Sequence, residues 1–70
     1  MARFLLRAHD ENVELKAQRL LATLHVEDIR IIRDETVAEA WLDDLDAGRT
    51  IHGGLAEIEQ YLRRVAKAPT

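Results

Sequence analysis

The side chains able to do chemistry in this 70-residue chain are few and scattered. His9, His25 and His52 are the candidate metal ligands or bases, but no two have the i,i+4 spacing that brings both rings to one helix face. Glu11 and Glu14 form a carboxylate pair, yet an acid at position 14 suits an ordinary first helical turn. We therefore expect no catalytic residue and no metal site.

Two of the three glycines stand side by side, at Gly53 and Gly54, just before an amphipathic segment. One interpretation is a tight turn into a helix. The other is an anion site, because N–H groups at a helix N-terminus carry partial positive charge and glycine lets a phosphate or carboxylate approach closely. Thr50 and His52 would flank it. The candidate ligand-binding residues are thus Thr50, His52, Gly53 and Gly54, and the choice between turn and site stays open.

An acidic cluster of Asp43, Asp44 and Asp46 follows Trp41. At the end of a predicted helix these acids oppose the helix dipole, so they form either a solvated helix end near Arg49 or a recognition patch for a basic partner. Trp41, Asp43, Asp44 and Asp46 are therefore the candidate partner-binding residues.

Composition excludes several function classes. Cysteine is absent, which rules out disulfides, thiolate metal sites and thiol catalysis. Ten basic residues face thirteen acidic ones without a basic stripe, and aromatic residues for base stacking are only Phe4, Trp41 and Tyr61. The apolar run "FLL" is too short for a signal peptide or membrane span. We expect a cytoplasmic protein with no cofactor, no nucleic acid and no membrane.

The small size of the chain favours an associated state. A core built from 70 residues, without disulfide or metal, is only marginally stable by itself. We therefore expect a homodimer or a dedicated protein partner.

The first half of the chain predicts a strand, a helix and a second strand. "ARFLLRA" alternates, with Phe4, Leu6 and Ala8 on one face. Asp10 and Asn12 are both good N-caps for a helix whose apolar stripe begins at Val13. The β-branched stretch 28–33 predicts the second strand, which a right-handed crossover makes parallel to the first, with both faces covered.

The second half predicts two helices. Thr36 and Glu39 have the spacing of a capping box, and an apolar stripe through 45 predicts a helix over 36–46 that ends at a left-handed Gly48. A strand over "VAEAWL" is the alternative; it places Trp41 and Leu42 on opposite faces, so we favour the helix. "RTIH" leaves room for a short strand, and the last helix begins near Gly54.

The predicted fold class is α/β, a single small domain over 1–66 with the order β-α-β-α-(short β)-α, its first two strands parallel, and a frayed tail at 67–70. The chain resembles a glutaredoxin, a member of the thioredoxin-like fold. The matching segments, in chain order, are "RFLLRAHD", "LKAQRLLATLHVEDIRI", "AWLDDLDAGRTI" (as that family's second helix and exit) and "GGLAEIEQYL".

The departures from the family decide what the resemblance implies. "ENVE" lies where the family has Cys-x-x-Cys, so Glu11 and Glu14 replace both cysteines, and His52 stands in the place of its cis-proline. The family's β-hairpin has no evident counterpart, which predicts a reduced, thin sheet. In the family, the Gly-Gly and helix start meet the carboxylate of glutathione, which implies a similar ligand for Gly53 and Gly54. The resemblance thus implies a redox-inactive binding or regulatory module.

A second, shorter resemblance provides the alternative function. "RLLATL" and "EAWLDDLDAGRTI" are similar to the helical, acid-rich antitoxins of bacterial toxin–antitoxin pairs.

Overall fold

The computed structural model describes residues 2–65, so the predicted tail at 67–70 lies outside the described residues. The elements in this part of the chain are β1 (Phe4–Ala8), α1 (Glu11–Leu24), β2 (Ile29–Arg33), β3 (Ala40–Asp44), β4 (Arg49–Ile51) and α2 (Leu55–Val65). Within it, the strands form a four-stranded mixed sheet in the order β2-β1-β3-β4. β1 is parallel to β2 and antiparallel to β3, and β3 and β4 form a hairpin.

The first strand and the first helix confirm the sequence prediction. Phe4, Leu6 and Ala8 face the core and are at most 1% exposed. The carboxylate of Asp10 caps α1 by accepting a hydrogen bond from the Val13 amide at 3.0 Å. The apolar stripe of α1 then places Ala17 and Leu21 in the same core. Alternation and capping are local signals, so sequence alone was enough to locate these two elements.

The parallel pairing of β1 and β2 is confirmed, but the predicted burial of the second strand is wrong. β2 is an edge strand whose three isoleucines, Ile29, Ile31 and Ile32, are half-buried and whose Arg30 and Arg33 are exposed. The reason is that α1 and α2 pack on the same face of the sheet, as their shared core shows. The opposite face has no helix over it in residues 2–65.

The predicted helix over 36–46 is wrong, because residues Ala40–Asp44 form β3. Ala40, Leu42 and Asp44 point into the core, while Trp41 and Asp43 are half-buried on the other face. The strand alternative over "VAEAWL" therefore had the right type of element for residues 40–42, although the strand begins three residues later and continues to Asp44. Trp41 and Leu42 point to opposite faces of the sheet, as successive residues of a strand do. This arrangement costs little, because β3 lies between β1 and β4 and its side chains pack on both faces.

The signals taken as helix ends serve turns instead. The Thr36 amide and hydroxyl both donate to Asp34, which makes a local turn rather than a capping box. Gly48 has the predicted left-handed backbone, with φ of 65°, but it lies in the β3–β4 turn, where its amide donates to the Asp44 carbonyl at 2.8 Å. Residues 40–51 therefore form a β-hairpin, which the sequence analysis did not predict.

The last helix, α2, confirms its predicted start and face. Ile58 and Leu62 are at most 1% exposed, and Tyr61, predicted at the edge of the stripe, is also buried. Arg63 and Glu59 form the expected i,i+4 ion pair at 2.7 Å. Over residues 2–65, neither helix has the length and apolar character that crossing a membrane requires.

Candidate functional site

The start of α2 is built around Gly54, which is buried and has φ of 86°. This left-handed backbone favours glycine, because a side chain there would meet the following carbonyl. Gly54 therefore has the geometry required by the turn interpretation. Its carbonyl accepts the first helical hydrogen bond, from the Ile58 amide at 3.0 Å.

A carboxylate of the chain itself occupies this helix N-terminus. Glu39, in the loop between β2 and β3, accepts a hydrogen bond from the Leu55 amide through Oε2 at 3.2 Å. Its other oxygen lies so close that a Cβ on Gly54 would be 3.0 Å away from it. Glu57 folds back over Gly53, where an added Cβ would overlap its carboxylate. Two acidic side chains thus already meet the partial positive charge of these amides.

Thr50 and His52, the other two candidate ligand-binding residues, make their contacts elsewhere. The Thr50 hydroxyl donates to Asp43 Oδ1 at 2.8 Å. The His52 ring lies edge-on to the Trp41 ring, with centroids 4.4 Å apart. Both contacts are on the face of the sheet opposite the helices, so the four candidates divide between two places.

We call this helix-free surface the open face. Strand alternation and the pairing registers place two rows of side chains across it. The rows, from β2 to β4, are Arg30, Leu5, Asp43 and Thr50, and then Ile32, Arg7, Trp41 and His52. Apolar and charged side chains alternate over β2, β1 and β3 in both rows, and each row ends in a polar side chain of Thr50 or His52. Leu5, Ile32 and Trp41 are half-buried although no helix of residues 2–65 covers them.

Arg7 is the central charge of the open face. Its guanidinium contacts Asp34 at 3.3 Å and Asp43 at 3.4 Å, and each of the three side chains is between a fifth and about a third exposed. Thr36 donates two hydrogen bonds to Asp34, and these, followed by the contact with Arg7, lower the pKa of that carboxyl. The charges on this face therefore balance one another locally.

The acidic cluster does not form one patch, because its three members have different surroundings. Asp44 is 1% exposed and accepts hydrogen bonds from Arg3, from the Tyr61 hydroxyl and from the Ala47 amide. Asp43 is bound to Arg7 and Thr50 on the open face. The Asp46 side chain is 77% exposed, and its carboxylate lies 3.9 Å from Arg3.

The burial of Asp44 changes its ionisation. The hydrogen bonds from Arg3 lower the pKa of this carboxyl from 3.8 to about 2, with Tyr61 and the Ala47 amide acting in the same direction against the effect of burial. Burial, together with the hydrogen bond to the carboxylate, raises the pKa of Tyr61. This buried network was missed in the sequence. Its one local signal is the aspartate at an inward position of the alternating stretch "AWLDD".

Three of the remaining candidates for catalysis and metal binding, Glu14, His9 and His25, have structural roles. Glu14 pairs with Arg33 at 2.7 Å. His9 Nδ1 lies 2.9 Å from the Val37 carbonyl, and His25 ends α1 with a left-handed backbone, φ 58°. Among the described residues, no three histidine, aspartate or glutamate side chains lie together as a metal site would require.

An open cleft of about 410 Å³ lies at the start of β1, near the open face. Its walls are Ala2, Phe4, Leu5, Arg30 and Leu45, and they are mainly apolar. Leu45 is one of two large apolar side chains that are more than half exposed in residues 2–65. Sequence reasoning missed this place, because Leu45 was assigned to the core stripe of a helix.

Comparison with known proteins gives no further guidance. No family model, curated protein or solved structure matches the chain significantly.

Proposed function

We propose that this protein is a non-catalytic binding module with a reduced thioredoxin-like fold, which acts through protein–protein association at its open face. The observation that carries the proposal is the half-buried apolar set Leu5, Ile32 and Trp41 on a sheet surface without a helix over it in residues 2–65. Exposed apolar side chains grouped on one surface are typical of interaction sites. Balanced charges around them suit a protein partner better than a polyanion.

The thioredoxin-like part of the proposal is supported by element order. A parallel β1–α1–β2 unit, a hairpin, Gly-Gly and a final helix follow one another in the order of the glutaredoxin family, although residues 34–39, between β2 and the hairpin, form no helix. The correspondence between this chain and the elements of the glutaredoxin family differs from the one proposed from the sequence. Residues 40–51 correspond to the family's hairpin rather than its second helix, and His52 follows that hairpin, so it no longer corresponds to the cis-proline.

The absence of redox chemistry in the proposal follows from composition. Glu11 and Glu14 stand where the family's cysteines would act, and the chain has no cysteine elsewhere. Glu14 instead forms an ion pair with Arg33. The antitoxin alternative has less support, because "EAWLDDLDAGRTI", one of the two segments that suggested it, contains a hairpin and not a helix. The anion-binding alternative would require a ligand to displace Glu39.

Site-specific photo-crosslinking tests the proposal. A benzophenone amino acid is placed at Trp41 on the open face or, as the control, at Gln18 on the exposed side of α1. Cells producing each variant at its natural level are irradiated, and adducts are identified by mass spectrometry. We expect discrete protein adducts from position 41 only. Equal labelling from both positions, or no adduct from either, would contradict association through the open face.

A further inference from the structure

The outer edge of β2 is a strand edge that nothing covers within residues 2–65. β2 ends the sheet order, and its five residues, "IRIIR", include three β-branched side chains. β4, at the other end of the sheet, has only three residues. A longer, β-branched edge without proline is a ready template for another strand.

The main-chain groups that point outward from β2 can be identified. The Phe4 amide donates to the Asp28 carbonyl at 3.1 Å, and the Asp34 amide donates to the Ala8 carbonyl at 2.8 Å. Neighbouring residues of a parallel strand direct their N–H and C=O groups to opposite sides. Even-numbered residues from 28 to 34 therefore point towards β1, and Ile29, Ile31 and Arg33 point outward.

We propose that a second copy of this chain pairs with that edge, so that β2 and the partner's β2 run antiparallel with Ile31 opposite the partner's Ile31. This inference rests on the proposed function. It names the partner, a second copy of the chain, and adds the edge of β2 to the open face as an interaction surface. Ile29 then lies opposite the partner's Arg33, and Arg30 opposite the partner's Ile32. The outward groups of Ile29, Ile31 and Arg33 meet their counterparts and form about six main-chain hydrogen bonds.

Charge and length select this register among the alternatives. A register centred on Arg30 would place it directly against the partner's Arg30, which is unfavourable. A register centred on Ile32 pairs only residues 31–33 and loses hydrogen bonds. Registers shifted by one residue bring outward groups against inward ones and cannot form a ladder. Only with Ile31 at the centre is the whole strand paired without an arginine opposite an arginine.

The pairing determines the shape of the dimer. An antiparallel contact between identical edges has its two-fold axis perpendicular to the sheet. The two sheets therefore join into one, with all helices on the same side and both open faces continuous. The open face available to a partner protein would therefore be twice as large on the dimer as on the monomer.

Sedimentation equilibrium between about 5 μM and 1 mM tests the proposal, since edge contacts of this size are expected to be weak to moderate. We expect a monomer–dimer equilibrium that Ile31→Pro abolishes, because proline removes an outward N–H that the monomer does not use.

Thr50→Pro is the matched control. The hydrogen bonds from the Leu45 amide to the Arg3 carbonyl and from the His9 amide to the Glu39 carbonyl show that odd-numbered residues of β3 point towards β1. Leu42 and Asp44 therefore point towards β4, and the Thr50 N–H, opposite Asp43, points outward on the other edge. Thr50→Pro should leave the dimer intact. Thermal melts of both variants, which we expect to be cooperative, check that they fold.

A charge pair of variants tests the register. Ile32→Glu would face the partner's Arg30, and Ile32→Lys would repel it. Two symmetrical contacts of this kind should make the glutamate variant dimerise about tenfold more tightly than the lysine variant. A monomer at 1 mM overturns the proposal, as does a dimer that Thr50→Pro breaks and Ile31→Pro does not. If position 41 crosslinks to a different protein while the chain stays monomeric, this inference fails and the proposed function stands.

Discussion

Arg3 and Asp44 form a two-point ion pair, in which the guanidinium donates to both carboxylate oxygens at 3.1 Å. The Arg3 side chain is 30% exposed and the Asp44 side chain is fully buried. Tyr61 of α2 donates to the same carboxylate. The contact therefore joins the start of β1, the end of β3 and the last helix, and it satisfies a buried charge that would otherwise destabilise the core.

Asp44→Asn should lower the free energy of unfolding by about 2–3 kcal/mol, because it removes the buried negative charge that pairs with Arg3. The loss is limited because part of the Arg3 side chain still reaches water. Asp46→Asn makes the same chemical change in the same hairpin at an exposed position 3.9 Å from Arg3, and should cost less than about 0.5 kcal/mol. Tyr61→Phe should fall between them, at about 1 kcal/mol. Urea denaturation followed by circular dichroism gives all three values. Equal losses at positions 44 and 46 would contradict the buried pair.

The same carboxyl makes stability depend on pH. Its folded pKa of about 2 is below the ordinary 3.8, so the unfolded chain takes up the proton first as the pH falls. Its contribution, about 2 kcal/mol, is complete above about pH 4 and is lost as the pH falls towards 2. The lowered pKa of Asp34 acts in the same direction. We expect Asp44→Asn to flatten the acid limb of a stability-versus-pH curve; an unchanged limb would be evidence against the lowered pKa.

The two left-handed glycines predict different costs for the same substitution. The new Cβ of Gly48→Ala would have no atom within 4 Å. The substitution is therefore destabilised only by the positive backbone angle, φ 65°, which costs about 1 kcal/mol. Gly54→Ala has φ of 86° and also approaches the Glu39 carboxylate at 3.0 Å, so we expect about 2–3 kcal/mol. Thermal or urea unfolding measures both. A smaller loss at position 54 would mean that Glu39 moves away easily.

Glu39 should keep other anions away from the start of α2. In the unaltered chain we expect the amide signals of Gly54 and Leu55 to stay unshifted on titration with phosphate or glutathione, because the chain's own carboxylate holds the Leu55 amide. Glu39→Gln should lower stability by about 0.5–1 kcal/mol through loss of charge at the helix N-terminus. Saturable shifts of both amides in the unaltered protein would instead favour the anion-binding alternative.

Trp41 should contribute less to stability than a core aromatic residue. Its ring is half-buried and packs against His52 on the open face. Trp41→Ala should therefore cost about 1–2 kcal/mol, below the 3–5 kcal/mol typical of a buried tryptophan. Phe4→Ala, at a 1% exposed position, provides the comparison and should reach that higher range. Similar losses from both variants would contradict the half-buried position of Trp41 on the open face.

The elements predicted correctly depend on nearby residues. The alternation of Phe4, Leu6 and Ala8 and the cap of Asp10 on α1 are local patterns, and so is the apolar stripe of α2. The left-handed backbone of Gly48 was predicted because such a turn favours glycine wherever it occurs. The absence of cysteine excluded thiol chemistry from composition alone.

Only the tertiary structure decided the secondary structure of residues 36–46 and the surroundings of the acidic cluster. Their apolar positions fit both a helical and a strand period, and a strand is stabilised by a partner that is distant in sequence, here β1 through Leu6 and Leu42. The same pairing turned Asp44 inward, to Arg3 and Tyr61. Helix caps and turns are determined by residues a few positions apart, whereas sheet order and burial depend on contacts across the whole chain, so the sequence alone left the open face and its residues undecided.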